Sequence, residues 1–348
     1  MEFQIIRILF FSTLAFLFAL FTTPLLTHFL YKYKLGKKIR NTGGTPIFSE
    51  LHAHKAGTPT MGGVLIWGTV LILIMLFYFL SSFFPDGVFQ YFNFLSRAET
   101  LLPLGALIIT ALIGLVDDWL DVRGRGVFGG GGLKLRHRIL IYTLIAIVGA
   151  FWFYFKLDWT LLHIPFFGSF EIGAWYIPIF IFIIVATSFS VNETDGLDGL
   201  AGGTLLIAFA SYGVISFAMG RYDLATFCAV IIGALLAFLW FNIPPARFYM
   251  GDTGAMSLGV TLGIIAMLTN NALLLIPIGA VFLIESLSVI IQTLSKRIRG
   301  KKIFLSSPIH HHYQAIGWPE AKVVMRFWVI AGIGATIGMI IFLLDTQI

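Results

Sequence analysis

Residues 101–118 read LLPLGALIITALIGLVDD, an uncharged apolar run closed by two adjacent acids, Asp117 and Asp118. Crossing a bilayer takes about 20 apolar residues, and carboxylates at membrane depth are costly to desolvate and tend to be kept for function. The same juxtaposition recurs outward along the chain. Asn192-Glu-Thr-Asp195-Gly-Leu-Asp198-Gly199 follows the apolar stretch 181–191, and Gly251-Asp252-Thr-Gly254 precedes another. A fourth polar knot, His310-His311-His312, stands in a basic stretch between the last two apolar runs.

Apolar runs lie at roughly 4–30, 61–84, 100–117, 138–156, 175–191, 200–219, 223–241, 255–270, 272–295 and 325–344. The chain is 58% hydrophobic and only 11% charged, with a mean hydropathy of +0.92. A soluble domain carries about 45–50% apolar and 25% charged residues. These values predict an all-α polytopic integral membrane protein with about ten transmembrane helices, and residues 1–348 forming a single integral membrane domain.

The net charge of +6 is distributed against a nucleic-acid surface. Of the 23 Lys and Arg, all but Arg7, Arg97, Lys156 and Arg221 fall on one side of the spans. They cluster after the first span (Lys32, Lys34, Lys37, Lys38, Arg40), after the third (Arg123, Arg125, Lys134, Arg136, Arg138) and after the ninth (Lys296, Arg297, Arg299, Lys301, Lys302). A basic excess marks the cytoplasmic face, so ten spans place both termini outside and the acidic knots inside. The first run is too long for a cleaved leader, and no small-residue cleavage site follows it. The single cysteine, Cys228, lies in an apolar span and excludes an intrachain disulfide. Residues 157–174 alternate and turn like a small external β-hairpin.

The chemistry-bearing residues gather in the inner connections. Neighbouring residues on a helix point about 100° apart, so Asp117 and Asp118 are expected to do different jobs, one binding a metal or acting as a base. Placed at a helix C-terminus, both oppose the macrodipole, which disfavours a purely structural role. Asn192, Asp195 and Asp198 are spaced three apart, so a helical turn would align them on one face; Asp198 also suits an N-cap of the next helix. Between the seventh and eighth spans, Arg247, Tyr249 and Asp252 offer a cation, an aromatic surface and a carboxylate. Hard oxygen donors without a Cys/His set suit Mg²⁺ or Mn²⁺ rather than zinc. Three adjacent histidines do not easily converge on one ion and read better as contacts to a phosphate or sugar. The glycine-rich segment 124–132 lacks the Walker spacing and the closing Lys-Ser/Thr, and reads as a loop rather than a phosphate cradle. Together these are the parts of a phosphoryl-transfer site that takes one soluble nucleotide and one lipid.

The ordered motifs closely resemble the phospho-N-acetylmuramoyl-pentapeptide transferases (MraY), within the polyprenyl-phosphate N-acetylhexosamine-1-phosphate transferase superfamily. The residues that carry the resemblance are HKAGTPTMGG at 54–63, GLVDD at 114–118, NETDGLDG at 192–199, WFN at 240–242, MGDTG at 250–254 and SPIHHH at 307–312, followed by GWPE at 317–320 and RFW at 326–328. The resemblance implies Mg²⁺-dependent transfer of phospho-N-acetylmuramoyl-pentapeptide from UDP-MurNAc-pentapeptide to undecaprenyl phosphate, giving lipid I and UMP. It implies a multi-pass protein of the bacterial inner membrane, acting as a homodimer in peptidoglycan synthesis. By the same resemblance Asp117, Asp118 and Asp252 are the essential acids, with Asp252 the metal ligand and Asp117 the partner of the lipid phosphate. Asn192, Asp195 and Asp198 would line the nucleotide pocket, and Asn242 with Tyr249 would hold uracil. Lys55, Thr60, His310, His311 and His312 would complete the polar site, with His310 among the catalytic groups. Direct attack by the lipid phosphate is the simpler course, because a single displacement needs no protein nucleophile; an aspartyl-phosphate intermediate is the alternative.

The chain departs from the family pattern at Glu193, where leucine is usual, at Tyr249 for phenylalanine, at Arg247 for lysine, and in segment 124–132. Two other readings compete. A sibling enzyme would transfer GlcNAc-1-phosphate, against which the three histidines after Ser-Pro-Ile argue. A transporter would hold its acids near the midplane on broken helices, whereas these gather at span ends.

Overall fold

A computed structural model describes residues 1–36, 55, 57–97, 99–124 and 132–347. Lys37, Lys38, Arg40, His54, Arg125 and the interior of the glycine-rich segment lie outside the described residues. The helices are α1 (Glu2–Lys32), α2 (Gly63–Phe83), α3 (Leu101–Arg123), α4 (Leu135–Phe151), α5 (Tyr176–Thr194), α6 (Leu200–Ala218), α7 (Tyr222–Asn242), α8 (Asp252–Leu268), the short α9 (Leu275–Ile278), α10 (Ala280–Arg299), the short α11 (Ile309–Ala315) and α12 (Glu320–Asp345).

Among the described residues, eight helices are long and apolar enough to cross a membrane: α1 to α7, α4 and α5 with short extensions, and α12. A ninth candidate is broken, with 272–278 and α10 meeting at 84°. The remaining run, α8, is a shorter apolar helix of 17 residues. At 1.5 Å per residue it spans about 26 Å, short of the roughly 30 Å hydrocarbon core. It can be short because it never meets lipid: every residue from Thr253 to Leu268 is buried.

α8 is the axis around which the site is built. α3 and α5 pack along it, while α7 packs against α1, α2 and α6, and α12 closes over α6. The Thr253 hydroxyl ties α8 to α3 by donating to the Ala111 carbonyl at 2.8 Å, and accepts from the Trp67 indole of α2 at 3.1 Å. The outer helices expose apolar side chains such as Leu9 and Phe21 on α1 and Val329 and Ile333 on α12. Exposed apolar surface of this extent marks a face for lipid or partner rather than for water. Cys228 is buried in α7.

The expected hairpin is present as β1 (Leu161–Ile164) and β2 (Gly168–Glu171), antiparallel with Leu161 opposite Glu171 and Ile164 opposite Gly168. Three local expectations need correction. Asp117 and Asp118 do not end their helix, because α3 continues to Arg123; the macrodipole argument against a structural role therefore lapses. Asn192, Asp195 and Asp198 do not share a helical face, since α5 stops at Thr194 and Asp195 is its C-cap. Asp198 is not an N-cap either: Gly199 holds that place on α6, without a side-chain cap.

Candidate active site

The site lies where α3 nears its end, α5 ends and α8 begins. Gly251 makes the entry to α8 with φ +74°, a left-handed conformation that a side chain resists. A Cβ there would also come within 2.5 Å of an Asp118 carboxylate oxygen. That close approach has a purpose. Asp118 accepts the Asp252 and Thr253 backbone N–H groups at 3.1 and 3.0 Å, and the Thr60 hydroxyl at 3.4 Å. A helix start leaves its first N–H groups without intrahelical partners and carries partial positive charge. Asp118 thus supplies from α3 the cap that α8 lacks, and fixes where Asp252 stands.

Asp117, one residue earlier and also buried, faces a different partner. Its Oδ1 accepts the Leu133 backbone N–H, and its Oδ2 accepts Nε of Arg138 at 3.0 Å. The same guanidinium donates to Asp252 Oδ2 at 2.6 Å and to the Asn192 side-chain Oδ1 at 3.0 Å. Asn192 closes the ring by donating its amide to Asp252 Oδ1 at 2.7 Å. Two carboxylates therefore share one guanidinium. Arg138 belongs to the basic cluster that follows the third apolar run, but nothing in its neighbourhood assigns it to the acids. A cation in the first turns of an apolar span was the available signal.

A second group forms beside the 195–199 turn. Lys55 donates to Asp198 Oδ1 at 2.7 Å and to Glu320 Oε1 at 2.5 Å. Glu320 also accepts the Asp198 N–H at 2.8 Å, and Asp198 Oδ2 accepts that of Ala246 at 3.1 Å. Glu320 sits in the quoted GWPE motif yet was not singled out as a site residue. Asn242 is engaged on both amide atoms, accepting from Gly199 N–H at 2.9 Å and donating to the Phe248 carbonyl at 2.8 Å. It clips the 195–199 turn to the loop before α8. Tyr249 reaches the Lys55 carbonyl at 3.4 Å, and burial pushes its phenol up to about 12, so the ring stays neutral.

The three histidines fan out along α11, as their adjacency requires. His310 is fully buried, with Nδ1 at 2.9 Å from Glu285 of α10. Burial, with Lys55 adding to it, pulls its imidazole down to about 3; this is a hydrogen-bonded neutral ring, not an ion pair. His311 Nδ1 meets Gln314 at 3.0 Å, and His312 Nδ1 accepts the Leu305 N–H at 3.3 Å. Glu285 was not foreseen, because it lies mid-span among apolar residues.

Among the described residues no group of three or more His, Cys, Asp or Glu forms a metal cage. The nearest arrangement is the Asp117–Asp252 pair around Arg138. Its hard carboxylate oxygens, turned on one positive centre, fit the donor chemistry that Mg²⁺ prefers.

Helices long and apolar enough to cross a membrane enclose these acids and the guanidinium, and residues 100–270 match the glycosyl transferase family 4 model. Residues 55–66 match the first signature of phospho-N-acetylmuramoyl-pentapeptide-transferase. The chain is 40% identical over 346 residues to the phospho-N-acetylmuramoyl-pentapeptide-transferase of Chloroflexus aggregans, covering 96% of this chain and 89% of that one. It is 40% identical over 333 residues to that of a Geobacillus species (94% and 95% covered), and 37% identical over 337 to that of Bacillus velezensis (96% and 97%). The chain belongs to the phospho-N-acetylmuramoyl-pentapeptide-transferase family and is an enzyme.

Proposed function

We propose that this enzyme transfers phospho-N-acetylmuramoyl-pentapeptide from UDP-MurNAc-pentapeptide to undecaprenyl phosphate, releasing UMP and forming lipid I for peptidoglycan synthesis. The observation that carries the reading is the ring of Asp117, Arg138, Asn192 and Asp252 at one end of the bundle. Two anionic substrates meet in such a reaction, and fixed cations beside acids offset their mutual repulsion.

Asp117 faces Arg138 rather than a helix end, which suits it to positioning the lipid phosphate. Asp252 and Asp117 would hold Mg²⁺, with Mn²⁺ as a substitute. When bound, the ion neutralises diphosphate charge and eases departure of UMP. Asp118 holds the α8 N-terminus and so acts on the chemistry through Asp252. Lys55, Asp195, Asp198 and Tyr249 form the nucleotide side, Tyr249 offering its ring to uracil while Asn242 keeps the loop in place. Thr60, His311 and His312 would complete the polar site, and His310 stands behind the 195–199 turn. The lipid phosphate attacks directly, since a single displacement needs no protein nucleophile.

We place the protein in the bacterial inner membrane as a homodimer with ten spans, counting α8 and the broken pair as one each. Both termini are then outside and the site is cytoplasmic, in keeping with the clustering of Lys and Arg. Cysteines introduced at Glu2 and Gln347 should both react with an impermeant maleimide in intact cells; labelling of only one would remove a span.

The deciding experiment is incubation with UDP-MurNAc-pentapeptide, undecaprenyl phosphate and Mg²⁺, measuring UMP and lipid I together. Turnover of UDP-GlcNAc alone would overturn the choice of sugar. Trapping of a phosphorylated aspartate would overturn direct attack.

A further inference from the structure

Glu285 and His310 are both completely buried and face each other across α10 and α11. Glu285 Oε2 lies 2.9 Å from His310 Nδ1 and 3.5 Å from the His310 backbone N–H, so the carboxyl grips both ring and backbone. The other ring nitrogen, Nε2, is buried and has no hydrogen-bond partner among the described residues. It points at the nucleotide-side turn: a Cβ on Gly196 would fall 2.2 Å from it. Since the ring is packed and gripped from behind, it has no easy way to yield, and Gly196 must be glycine for the imidazole to stand there. A buried polar nitrogen left unpaired is costly, and such atoms in native folds call for an explanation.

We infer that Glu285 is a positioning residue: by accepting the Nδ1 proton it turns the Nε2 lone pair of His310 outward for a hydroxyl of the nucleoside diphosphate substrate, which donates to it when the 195–199 turn shifts. The inference rests on the proposed reaction. The second ring nitrogen of a histidine is set by what the first one bonds, so removing Glu285 frees the ring to flip or change tautomer. Besides Glu285, the titratable groups acting around His310 are Lys55 and the His311 ring, whose centroid is 4.0 Å away.

The test is steady-state turnover of UDP-MurNAc-pentapeptide by purified Glu285→Leu, Glu285→Gln, His310→Gln and the Leu/Gln double variant, with unfolding midpoints alongside. Glu285→Leu should lower kcat/KM by about tenfold to a hundredfold, the scale of leaving one buried donor without its partner. Glu285→Gln keeps a group that can donate or accept and should stay within about threefold of the parent, because position rather than charge is what it supplies. The double variant should fall no further than His310→Gln alone, as coupled residues do. A folded Glu285→Leu at parental activity, a Glu285→Gln as weak as Glu285→Leu, or losses that multiply in the double variant would each overturn the inference. An inactive parent protein would instead remove the proposed reaction, and the inference with it. If Glu285→Leu fails to fold, Gly196→Ala gives the same reading from the other side of the ring, and its full activity would refute the placement of Nε2.

Discussion

The two ends of the bundle handle buried charge differently. At the end away from the site, Arg7 of α1 meets Asp223 at the start of α7 at 2.7 Å and the Asn93 carbonyl at 2.9 Å. His163 of β1 meets Asp345 at the end of α12 at 2.6 Å. Each is a staple of one base to one acid, joining a helix end to a neighbouring element. At the site end, Arg138 is shared between Asp117 and Asp252, and Lys55 between Asp198 and Glu320. Sharing leaves local negative charge that a one-to-one pair does not, and a cationic or positively steered ligand answers it. One-to-one pairs there hold the fold; the excess negative charge here is the complement of a cation.

That contrast can be broken by substitution. Asp252→Ala should show the largest effect, a loss of about 10³-fold or more in turnover if it is a metal ligand, with little change in unfolding midpoint; near-normal activity would refute the role. Arg138→Met should come next. It leaves two carboxylates facing each other, so turnover should fall about 10²-fold and stability by about 3 kcal/mol. Added Mg²⁺ should raise the unfolding midpoint of Arg138→Met more than that of the parent, because the ion takes over the charge the guanidinium supplied; an equal response would break the proposed metal site. Arg7→Met inverts the pattern. It should cost about 1–3 kcal/mol of stability while leaving turnover within about twofold, and a large loss of activity would erase the distinction between the two ends.

The smallest expected effect is on pH. His310 holds its proton only near 3 in the folded protein against 6.5 for a free imidazole, so between these values the unfolded chain binds more protons. Stability should therefore fall as pH drops below about 6.5. His310→Gln should flatten that part of the unfolding-midpoint profile; an unchanged slope would show that His310 is not the neutral ring described here.

Much of the fold was legible because span formation is a local property. Sixteen uncharged residues before Asp117, or the interior of α7, announce a helix without reference to anything else. The hairpin at 161–171 was legible for the same reason, through alternation and turn residues. The length of α8 was not, since a helix surrounded by other helices is released from spanning lipid, and only packing reveals that. The acids of the site were legible as costly charges in an apolar chain, but their grouping was not. The expected alignment of Asn192 with Asp198 failed because the chain leaves the helix at Asp195, and the split between Asp117 and Asp118 came from which neighbour each one faces.

Sequence alone determined that this chain is a membrane helical bundle, where its carboxylates interrupt the apolar runs, and to which family its ordered motifs belong. These depend on transfer free energies and residue order, which are properties of short stretches. Tertiary structure alone decided that Asp118 caps α8 while Asp117 pairs with Arg138, that Arg138 reaches Asp252 across 114 residues of chain, and that Glu285 and Glu320 stand behind His310 and Lys55. Such pairings follow from how helices are rotated and packed against one another, and that rotation is set by all their contacts together rather than by any local pattern.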